Sequence, residues 1–306
     1  MSILIISPSR DTSQWVAALQ EQEPGVRVQV YPEVEDPDSV EFILTWRHPH
    51  GVFQNFPKLK VIASMGAGVD HITSDKDLPS EVLITRIIDG KLSEDMAVFV
   101  LALVLNHLRN ISLHHCSQEW KPLPYHRPEE VRIGIMGLGV LGKAAALRLS
   151  QNGFKISGWS ATRKSVPGVR SYSGEGELGD FLAESQILVC LLPLTSSTES
   201  ILNRSLFDLL PDNAYLINVA RGALLVEQDL IQAILSGKLS GASLDVFCQE
   251  PLPEEHPFRR EKRIRITPHV ASITHPSSVA SQVLDNYFRM QQGKPLLHLV
   301  QKEKEY

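Results

Sequence analysis

Three glycines between a predicted strand and a predicted helix constrain the fold of this chain more than any other feature. Val131–Met136 is apolar enough to form a buried strand, Gly137-Leu-Gly139-Val-Leu-Gly142 follows it directly, and Lys143–Ser150 is a run of good helix formers. In that setting Gly137 permits a tight turn, Gly139 the close approach of a pyrophosphate, and Gly142 the packing of helix on strand. The spacing therefore predicts a dinucleotide site at the amides of the helix start.

Short apolar runs alternate with helical or Pro/Gly-rich stretches along the whole chain. Those in the first part lie at 3–6, 26–31, 42–46, 61–65 and 82–85. Those in the second part lie at 131–136, 154–159, 186–192, 214–219, 241–246 and 264–267, with helices expected near 140–151, 198–210 and 227–236. A single long helix is expected from Ser93 to His115, a loop over Cys116–Glu130 and an amphipathic helix over Ser278–Gln292 that packs back on the first part. This alternation predicts the fold class α/β with two doubly wound parallel sheets.

Charge and composition exclude several classes of partner. With 306 residues and a formal net charge of −5, the chain has no cationic field to attract nucleic acid or a membrane surface. No stretch reaches the roughly 20 apolar residues of a membrane span. The N-terminal residues lack the features of a signal peptide, so we expect a cytoplasmic protein. The three cysteines show no C-x-x-C spacing and the histidine pairs lack further ligands, so no metal site is predicted.

The end of the second strand of the dinucleotide domain indicates which cofactor is preferred. An NAD site places Asp or Glu there to accept a hydrogen bond from the ribose 2′-hydroxyl. Here the stretch reads Ile156-Ser-Gly-Trp159-Ser160-Ala-Thr-Arg163-Lys164, and no acid follows before Glu175. A hydroxyl followed by two cations binds a 2′-phosphate, whereas a carboxylate repels it. NADP(H) is therefore the predicted cofactor, with NAD(H) possible; the alternative is a basic turn that is merely solvated.

Three polar segments each follow an apolar strand in the second part. They are Asn218-Val-Ala-Arg221-Gly222, Leu244-Asp245-Val-Phe-Cys-Gln-Glu250-Pro251 and Thr267-Pro268-His269. The carboxyl ends of parallel strands converge at the ligand crevice, so Arg221, Glu250 and His269 are expected to meet. Arginine binds a carboxylate bidentately, histidine protonates a carbonyl oxygen, and glutamate orients the ring and favours its protonated form. The set suits reduction of a 2-oxo acid.

These motifs, in this order and spacing, closely resemble the D-isomer-specific 2-hydroxyacid dehydrogenase family over nearly the whole chain. The resemblance rests on G-L-G-x-L-G at 137–142, A-R-G at 220–222, L-D-V-F with E-P at 244–251, and T-P-H at 267–269. Within the family, Trp120-Lys-Pro-Leu-Pro and the Trp159-Ser-x-x-Arg-Lys turn resemble the glyoxylate/hydroxypyruvate reductase A branch. The chain departs from the family's pattern at Leu92-Ser-Glu-Asp-Met96, which opens the interdomain helix.

The resemblance implies a homodimer of two-domain subunits. A Rossmann NAD(P)-binding domain, residues 97–277, is inserted into a flavodoxin-like substrate domain, residues 1–96 and 278–306. It makes Arg221 the substrate-binding arginine, Glu250 the acid paired with histidine, and His269 the donor of a proton to a small 2-oxo acid.

The remaining site residues follow from the glycine turn, the basic turn and the resemblance. The predicted cofactor-binding residues are Gly137, Leu138, Gly139, Val140, Leu141, Gly142, Trp159, Ser160, Arg163, Lys164, Leu192, Pro193, Val219, Ala220, Arg221, Asp245, His269 and Ser272. The predicted substrate-binding residues are Trp46, Met65, Gly66, Ala67, Gly68, Arg221 and His269. Trp46 follows a strand of the substrate domain, where it forms either part of a lid or ordinary packing.

Two other functions remain open at this point. Corepressors that sense a dinucleotide without catalysis share this fold and the same three polar residues. A phosphoglycerate dehydrogenase is the other alternative, although the chain has little room for a regulatory domain after His298.

Overall fold

The computed structural model describes residues 2–8, 10–304 and 306, and it divides into two compact units. Unit 1 comprises Met1–Leu92 and Ile273–Tyr306, and unit 2 comprises Ser93–Ser272. Each unit has one all-parallel sheet, of five strands in unit 1 and of seven in unit 2. The predicted α/β class with two doubly wound parallel sheets is confirmed.

Unit 1 is built on the sheet with order β2-β1-β3-β4-β5, which is the flavodoxin-like order. Its strands are β1 (Ser2–Ile6), β2 (Val28–Val30), β3 (Val40–Thr45), β4 (Val61–Ser64) and β5 (Leu83–Thr85). Numbered in chain order over both units, its helices are α1 (Ser13–Gln22), α2 (Asp70–Thr73) and α9 (Pro276–Gln291).

Unit 2 contains the sheet with order β12-β11-β10-β9-β6-β7-β8, the Rossmann order with one added strand. Its strands are β6 (Arg132–Met136), β7 (Lys155–Ser160), β8 (Val169–Ser173), β9 (Ile187–Cys190), β10 (Ala214–Asn218), β11 (Leu239–Leu244) and β12 (Ile264–Ile266). The long helix α3 (Gly90–Leu108) leads into it, and the others are α4 (Ile111–Cys116), α5 (Val140–Gln151), α6 (Leu178–Ala183), α7 (Arg204–Leu209) and α8 (Glu227–Leu235).

Apolar side chains cover both faces of the unit 1 sheet. On one face Phe42 is fully buried together with Leu19 of α1 and Val283 of α9. Leu4 and Ile62 point to the other face and belong to a separate buried cluster. Burying one such side chain stabilises the fold by about 1.5–3 kcal/mol. The expected packing of the C-terminal helix on the first part of the chain is therefore confirmed.

The expected single helix over Ser93–His115 is wrong, because the chain breaks it into α3 and α4. Asn110 adopts a left-handed backbone conformation with φ of 52°. The Asn106 side chain accepts hydrogen bonds from the Ser112 amide at 3.0 Å and the Ser112 hydroxyl at 2.9 Å. The Asn110 amide group donates to the Pro124 carbonyl at 2.7 Å, which ties the loop to the break. Local polar side chains thus replace the missing helical hydrogen bonds.

Three further elements differ from the sequence-based expectation. The strand β8 was not expected, because it is a polar edge strand with only Tyr172 buried. The helix α6, which follows it, was not expected either. The helix expected at 198–210 begins instead at Arg204, where the Asn203 side chain accepts from the Leu206 amide at 3.1 Å. An asparagine N-cap of this kind sets the first turn of a helix.

His107, in the last turn of α3, makes the stability of unit 2 depend on pH. Its ring stacks on Tyr215 with a centroid distance of 3.7 Å. Burial, with Arg265 and His126 nearby, lowers the pKa of His107 from 6.5 to about 4. Between these values the unfolded chain binds a proton that the folded chain does not, so stability falls as pH decreases below 6.5.

Replacing His107 by phenylalanine should reduce this acid sensitivity while keeping the stack on Tyr215. The wild type is expected to lose about 2 kcal/mol of unfolding free energy from this group between pH 7.5 and pH 5. Urea unfolding at the two pH values measures the difference for wild type, His107→Phe and the exposed control His115→Phe. An unchanged pH difference in His107→Phe would contradict the prediction.

Candidate active site

The glycine turn at the carboxyl end of β6 has the geometry of a phosphate cradle. Gly137 has a φ of 101°, which favours glycine. A Cβ atom at Gly142 would lie 1.7 Å from the Gly137 carbonyl oxygen, so α5 packs directly on the turn. A Cβ atom at Gly139 would meet nothing within 4 Å, and Gly139 is the N-cap of α5. Open space in front of a helix N-terminus fits the approach of an anion.

The basic turn after β7 is joined to the end of β8. Ser160 pairs with Ser173 in the sheet, and the Ser160 hydroxyl donates to the Thr162 carbonyl at 2.8 Å. The Arg163 guanidinium donates to the Ser171 carbonyl at 2.8 Å and forms an ion pair with Glu177. Two of the three predicted readers of a 2′-phosphate are therefore held by other groups of the same turn and strand.

His269 and Glu250 form a hydrogen-bonded pair. The Nδ1 atom of His269 lies 2.8 Å from Oε2 of Glu250, and the two side chains are 25% and 14% exposed. The Phe247 amide donates to the other oxygen of Glu250 at 3.0 Å. Because a carboxylate only accepts hydrogen bonds, Nδ1 carries a proton and Nε2 is the nitrogen left for a ligand. This is the arrangement of a histidine oriented for proton transfer.

Arg221 lies in a turn that packs against the loop carrying Glu250. The Asn218 side chain holds the turn, because it accepts from the Ala220 amide at 3.1 Å and donates to the Arg221 carbonyl at 2.9 Å. A Cβ atom at Gly222 would lie 2.0 Å from the Phe247 carbonyl carbon. The structure thus brings the turn of Arg221 and the Glu250–His269 pair to the same edge of one parallel sheet.

Asp245 holds the segment that carries His269. Its fully buried carboxylate accepts from the Thr267 hydroxyl at 2.6 Å, the Val270 amide at 3.0 Å and the Ala271 amide at 2.8 Å. The Asp245 carbonyl accepts from the His269 amide at 2.8 Å. His269 itself has a φ of 54°, a conformation that costs about 1–3 kcal/mol and persists only when its surroundings impose it. Asp245 supplies most of those surroundings.

Replacing Asp245 by asparagine should therefore lower turnover through His269. The amide nitrogen of asparagine would face the Ala271 amide, so one buried acceptor is replaced by a donor. We expect a loss of about 2 kcal/mol in unfolding free energy, the scale of hydrogen bonds to a charged group, and a fall in kcat of at least about tenfold. Steady-state kinetics and urea unfolding of Asp245→Asn are compared with Asp229→Asn on α8. A normal kcat in a destabilised Asp245→Asn would contradict this positioning role.

The predicted substrate loop lies in unit 1, after β4. The Ser64 hydroxyl donates to the Gly68 carbonyl at 2.7 Å and accepts from the Gly66 amide at 3.2 Å, so it closes the loop. A Cβ atom at Gly66 would lie 2.9 Å from the Trp46 ring. The Arg10 guanidinium covers the same ring at 4.7 Å. Trp46 thus packs on the loop and is in contact with a cation.

Several predicted cofactor residues are buried as side chains. Leu138, Trp159, Leu192, Val219 and Ala220 are each at most 7% exposed. The Trp159 indole donates to the Gly174 carbonyl at 2.8 Å. The more accessible members of the set are Gly139, Val140, Leu141, Arg163, Lys164, Pro193, Arg221, His269 and Ser272.

Two residues near the site were not found from the sequence. Glu177 follows the unexpected strand β8, so nothing placed it beside Arg163. The Arg259 guanidinium donates to the carbonyls of Leu252 and Pro253 at 2.8 and 3.0 Å, and it fixes the loop after Glu250.

In the described part of the chain, no group of three or more His, Cys, Asp or Glu side chains is arranged to hold a metal ion. Nor does that part contain a helix long and apolar enough to cross a membrane.

A Rossmann sheet with a glycine turn and a His–Glu pair at its carboxyl edge defines a dinucleotide-dependent oxidoreductase. Residues 101–271 match the family model of the D-isomer specific 2-hydroxyacid dehydrogenase NAD binding domain. The chain is 39% identical to glyoxylate/hydroxypyruvate reductase A of Serratia proteamaculans, over 96% of both chains. It is 39% identical to the protein of that name from Escherichia fergusonii over 100% of both.

Two examples show how the whole chain resembles solved structures. One is a D-isomer specific 2-hydroxyacid dehydrogenase from Xanthobacter autotrophicus in complex with NADPH and MES, with a TM-score of 0.94, 39% identity and coverage of 100% of this chain and 99% of that one. The other is an NADPH-dependent glyoxylate/hydroxypyruvate reductase from Sinorhizobium meliloti in complex with NADP and sulfate, with a TM-score of 0.92, 35% identity and 100% of both chains covered. The chain belongs to the D-isomer specific 2-hydroxyacid dehydrogenase family.

Proposed function

We propose that this chain uses NADPH to reduce a small 2-oxo acid, of the glyoxylate or hydroxypyruvate type, to the 2-hydroxy acid. The observation that carries the proposal is the 2.8 Å contact between His269 Nδ1 and Glu250 Oε2. The names of the relatives from Serratia proteamaculans and Sinorhizobium meliloti support the substrate and the cofactor.

The glycine turn fits the cofactor. The open space at Gly139 and the start of α5 suit a pyrophosphate, and the turn with Arg163 and Lys164 suits a 2′-phosphate. When bound, the reduced nicotinamide supplies a hydride to C2 of the oxo acid.

Residues of the chain itself bind the substrate and supply the proton. Arg221 binds the substrate carboxylate and polarises the neighbouring carbonyl. His269 holds a proton at Nε2 and delivers it to the carbonyl oxygen, while Glu250 stabilises the cationic ring through Nδ1. In the loop Met65–Gly68, the Met65 and Gly66 amides are hydrogen-bonded within the protein, so we assign the Ala67 and Gly68 amides to the substrate. Trp46 packs on this loop. We assign residues 97–277 to cofactor binding, and residues 1–96 with 278–306 to substrate binding.

A panel of small 2-oxo acids tests the proposal most directly. Glyoxylate, hydroxypyruvate, pyruvate and 2-oxobutyrate are each mixed with the protein and either NADPH or NADH, and loss of nicotinamide absorbance is recorded. We expect glyoxylate and hydroxypyruvate with NADPH to give the highest kcat/KM. If none of the acids oxidises NADPH, the protein is a dinucleotide-binding protein rather than a reductase.

Replacing Arg163 and Lys164 together by alanine should weaken NADPH selectively. Each of the two substitutions removes a charge-assisted hydrogen bond to the 2′-phosphate. The KM for NADPH is therefore expected to rise about 10–100-fold, while the KM for NADH changes less than about threefold. Arg170→Ala is the matched control, since Arg170 pairs with Glu184 instead. Equal losses for both cofactors would mean that this turn does not read the 2′-phosphate.

We also propose a homodimer in the cytoplasm. Apolar side chains are exposed within one segment of the chain, with Val98 at 48%, Ile111 at 56%, Trp120 at 104% and Tyr125 at 54%. Several large apolar side chains exposed within one segment favour an interface there. Sedimentation equilibrium gives the mass in solution, and a monomer at micromolar concentration would contradict the proposal.

A further inference from the structure

The ends of β7 and β8 form one polar cluster, and a carboxylate lies inside it. The Gly174 amide donates to the Ser160 carbonyl at 3.2 Å, which holds the two strand ends together. The Glu177 carboxylate accepts from the Ser173 amide at 2.6 Å and forms an ion pair with Arg163. The hydrogen bond from Ser173, followed by that from Arg163, lowers the pKa of Glu177, so this group is ionised at neutral pH.

Glu177 offsets the positive charge of Arg163. Both terminal nitrogens of the guanidinium are engaged, one by the Ser171 carbonyl and the other by Glu177. Lys164 is exposed, and in residues 2–8, 10–304 and 306 its side chain has no hydrogen bond or ion pair. Of the two cations in the turn, therefore, only Lys164 acts with its full charge on an approaching anion.

A 2′-phosphate carries between one and two negative charges at neutral pH. It is attracted by Arg163 and repelled by Glu177, and it must share the guanidinium with that carboxylate. An unphosphorylated ribose meets neither effect. Glu177 therefore lowers the affinity for the cofactor with a 2′-phosphate and does not change the affinity that comes from the parts both cofactors share.

We propose that Glu177 is a specificity-determining residue that competes with the 2′-phosphate for Arg163. The preference for NADPH over NADH is therefore smaller than Arg163 and Lys164 would give without Glu177. The inference rests on the proposed use of NADPH. It assigns a function to an acid that sequence analysis did not identify.

The binding of two nucleotide fragments tests the inference without turnover. The probes are 2′,5′-ADP, which carries the 2′-phosphate, and 5′-AMP, which lacks it; calorimetry gives both dissociation constants. Glu177→Gln should bind 2′,5′-ADP roughly three- to tenfold more tightly than the wild type at low salt, with less gain at 0.5 M salt. Its affinity for 5′-AMP should change less than twofold, which also reports an intact fold.

Glu175→Gln is the matched control. Glu175 is exposed, two residues away, and carries the same charge, but in the described part of the chain it has no ion pair with Arg163. Its effect on 2′,5′-ADP is expected to be less than twofold. In an Arg163→Ala background, Glu177→Gln should have no larger effect than Glu175→Gln, because no guanidinium remains to be released.

The activity ratio gives a second readout. The ratio of kcat/KM for NADPH to that for NADH should rise in Glu177→Gln by the same factor as the affinity for 2′,5′-ADP. Unchanged or weaker binding of 2′,5′-ADP by Glu177→Gln, relative to Glu175→Gln, would overturn the inference. If the wild type itself binds 2′,5′-ADP no better than 5′-AMP, the NADPH proposal fails, and that result is distinct from a failure of Glu177 alone.

Discussion

His269→Ala is expected to lower kcat by about 10²–10⁴-fold while the NADPH dissociation constant stays within about threefold of the wild type. The range is the usual contribution of a positioned general acid. Binding should survive, because Asp245 accepts from the backbone amides of Val270 and Ala271, which alanine at position 269 does not remove. Steady-state kinetics with glyoxylate and fluorescence titration of NADPH measure the two quantities separately.

Glu250→Gln provides a graded companion to this experiment. The glutamine oxygen still accepts from His269 Nδ1, but the negative charge that favours the protonated ring is lost. We expect an intermediate loss of kcat, about 10–100-fold. Turnover by His269→Ala near the wild-type level would remove His269 from the mechanism, and with it the role of Glu250.

A single added methyl group should have opposite consequences at two glycines of the turn. In Gly142→Ala the new atom would lie 1.7 Å from the Gly137 carbonyl oxygen, so α5 must move away from the glycine turn. We expect a loss of at least about 3 kcal/mol in unfolding free energy. In Gly139→Ala the new atom enters open space, and the φ of −72° is allowed for alanine.

Gly139→Ala should therefore fold normally and still fail to bind the cofactor well. The methyl group occupies the space through which a pyrophosphate approaches the start of α5, so NADPH affinity is expected to fall at least tenfold. Thermal unfolding without ligand and fluorescence titration of NADPH distinguish the two variants. Gly179→Ala, at another open position in α6, is the control for both. Wild-type NADPH binding by Gly139→Ala would show that the cofactor does not lie against this turn.

The elements found from the sequence are those whose signal is local. The buried strands β1, β4, β6 and β10 are short apolar runs, and α5 follows the glycine turn at the predicted residues. By contrast, β8 is an edge strand in which only Tyr172 is buried, so it has little apolar pattern. Its formation depends on pairing with the preceding strand β7, and the polar side chains of β8 give no sign of that pairing in the sequence. Because β8 was not predicted, the position of Glu177 beside Arg163 was not predicted either.

The order of residues along the chain was sufficient to establish the α/β class, the glycine turn and the three polar segments at strand ends. These follow from the periodicity of apolar residues and from the rule that ligands lie at the carboxyl edge of a parallel sheet. Both can be applied to the sequence alone. The ion pair of Arg163 with Glu177, the three donors gathered by Asp245 and the break at Asn110 were not readable. They depend on atoms that only packing brings within hydrogen-bond distance, since such bonds act over about 3 Å and carry no fixed spacing in sequence.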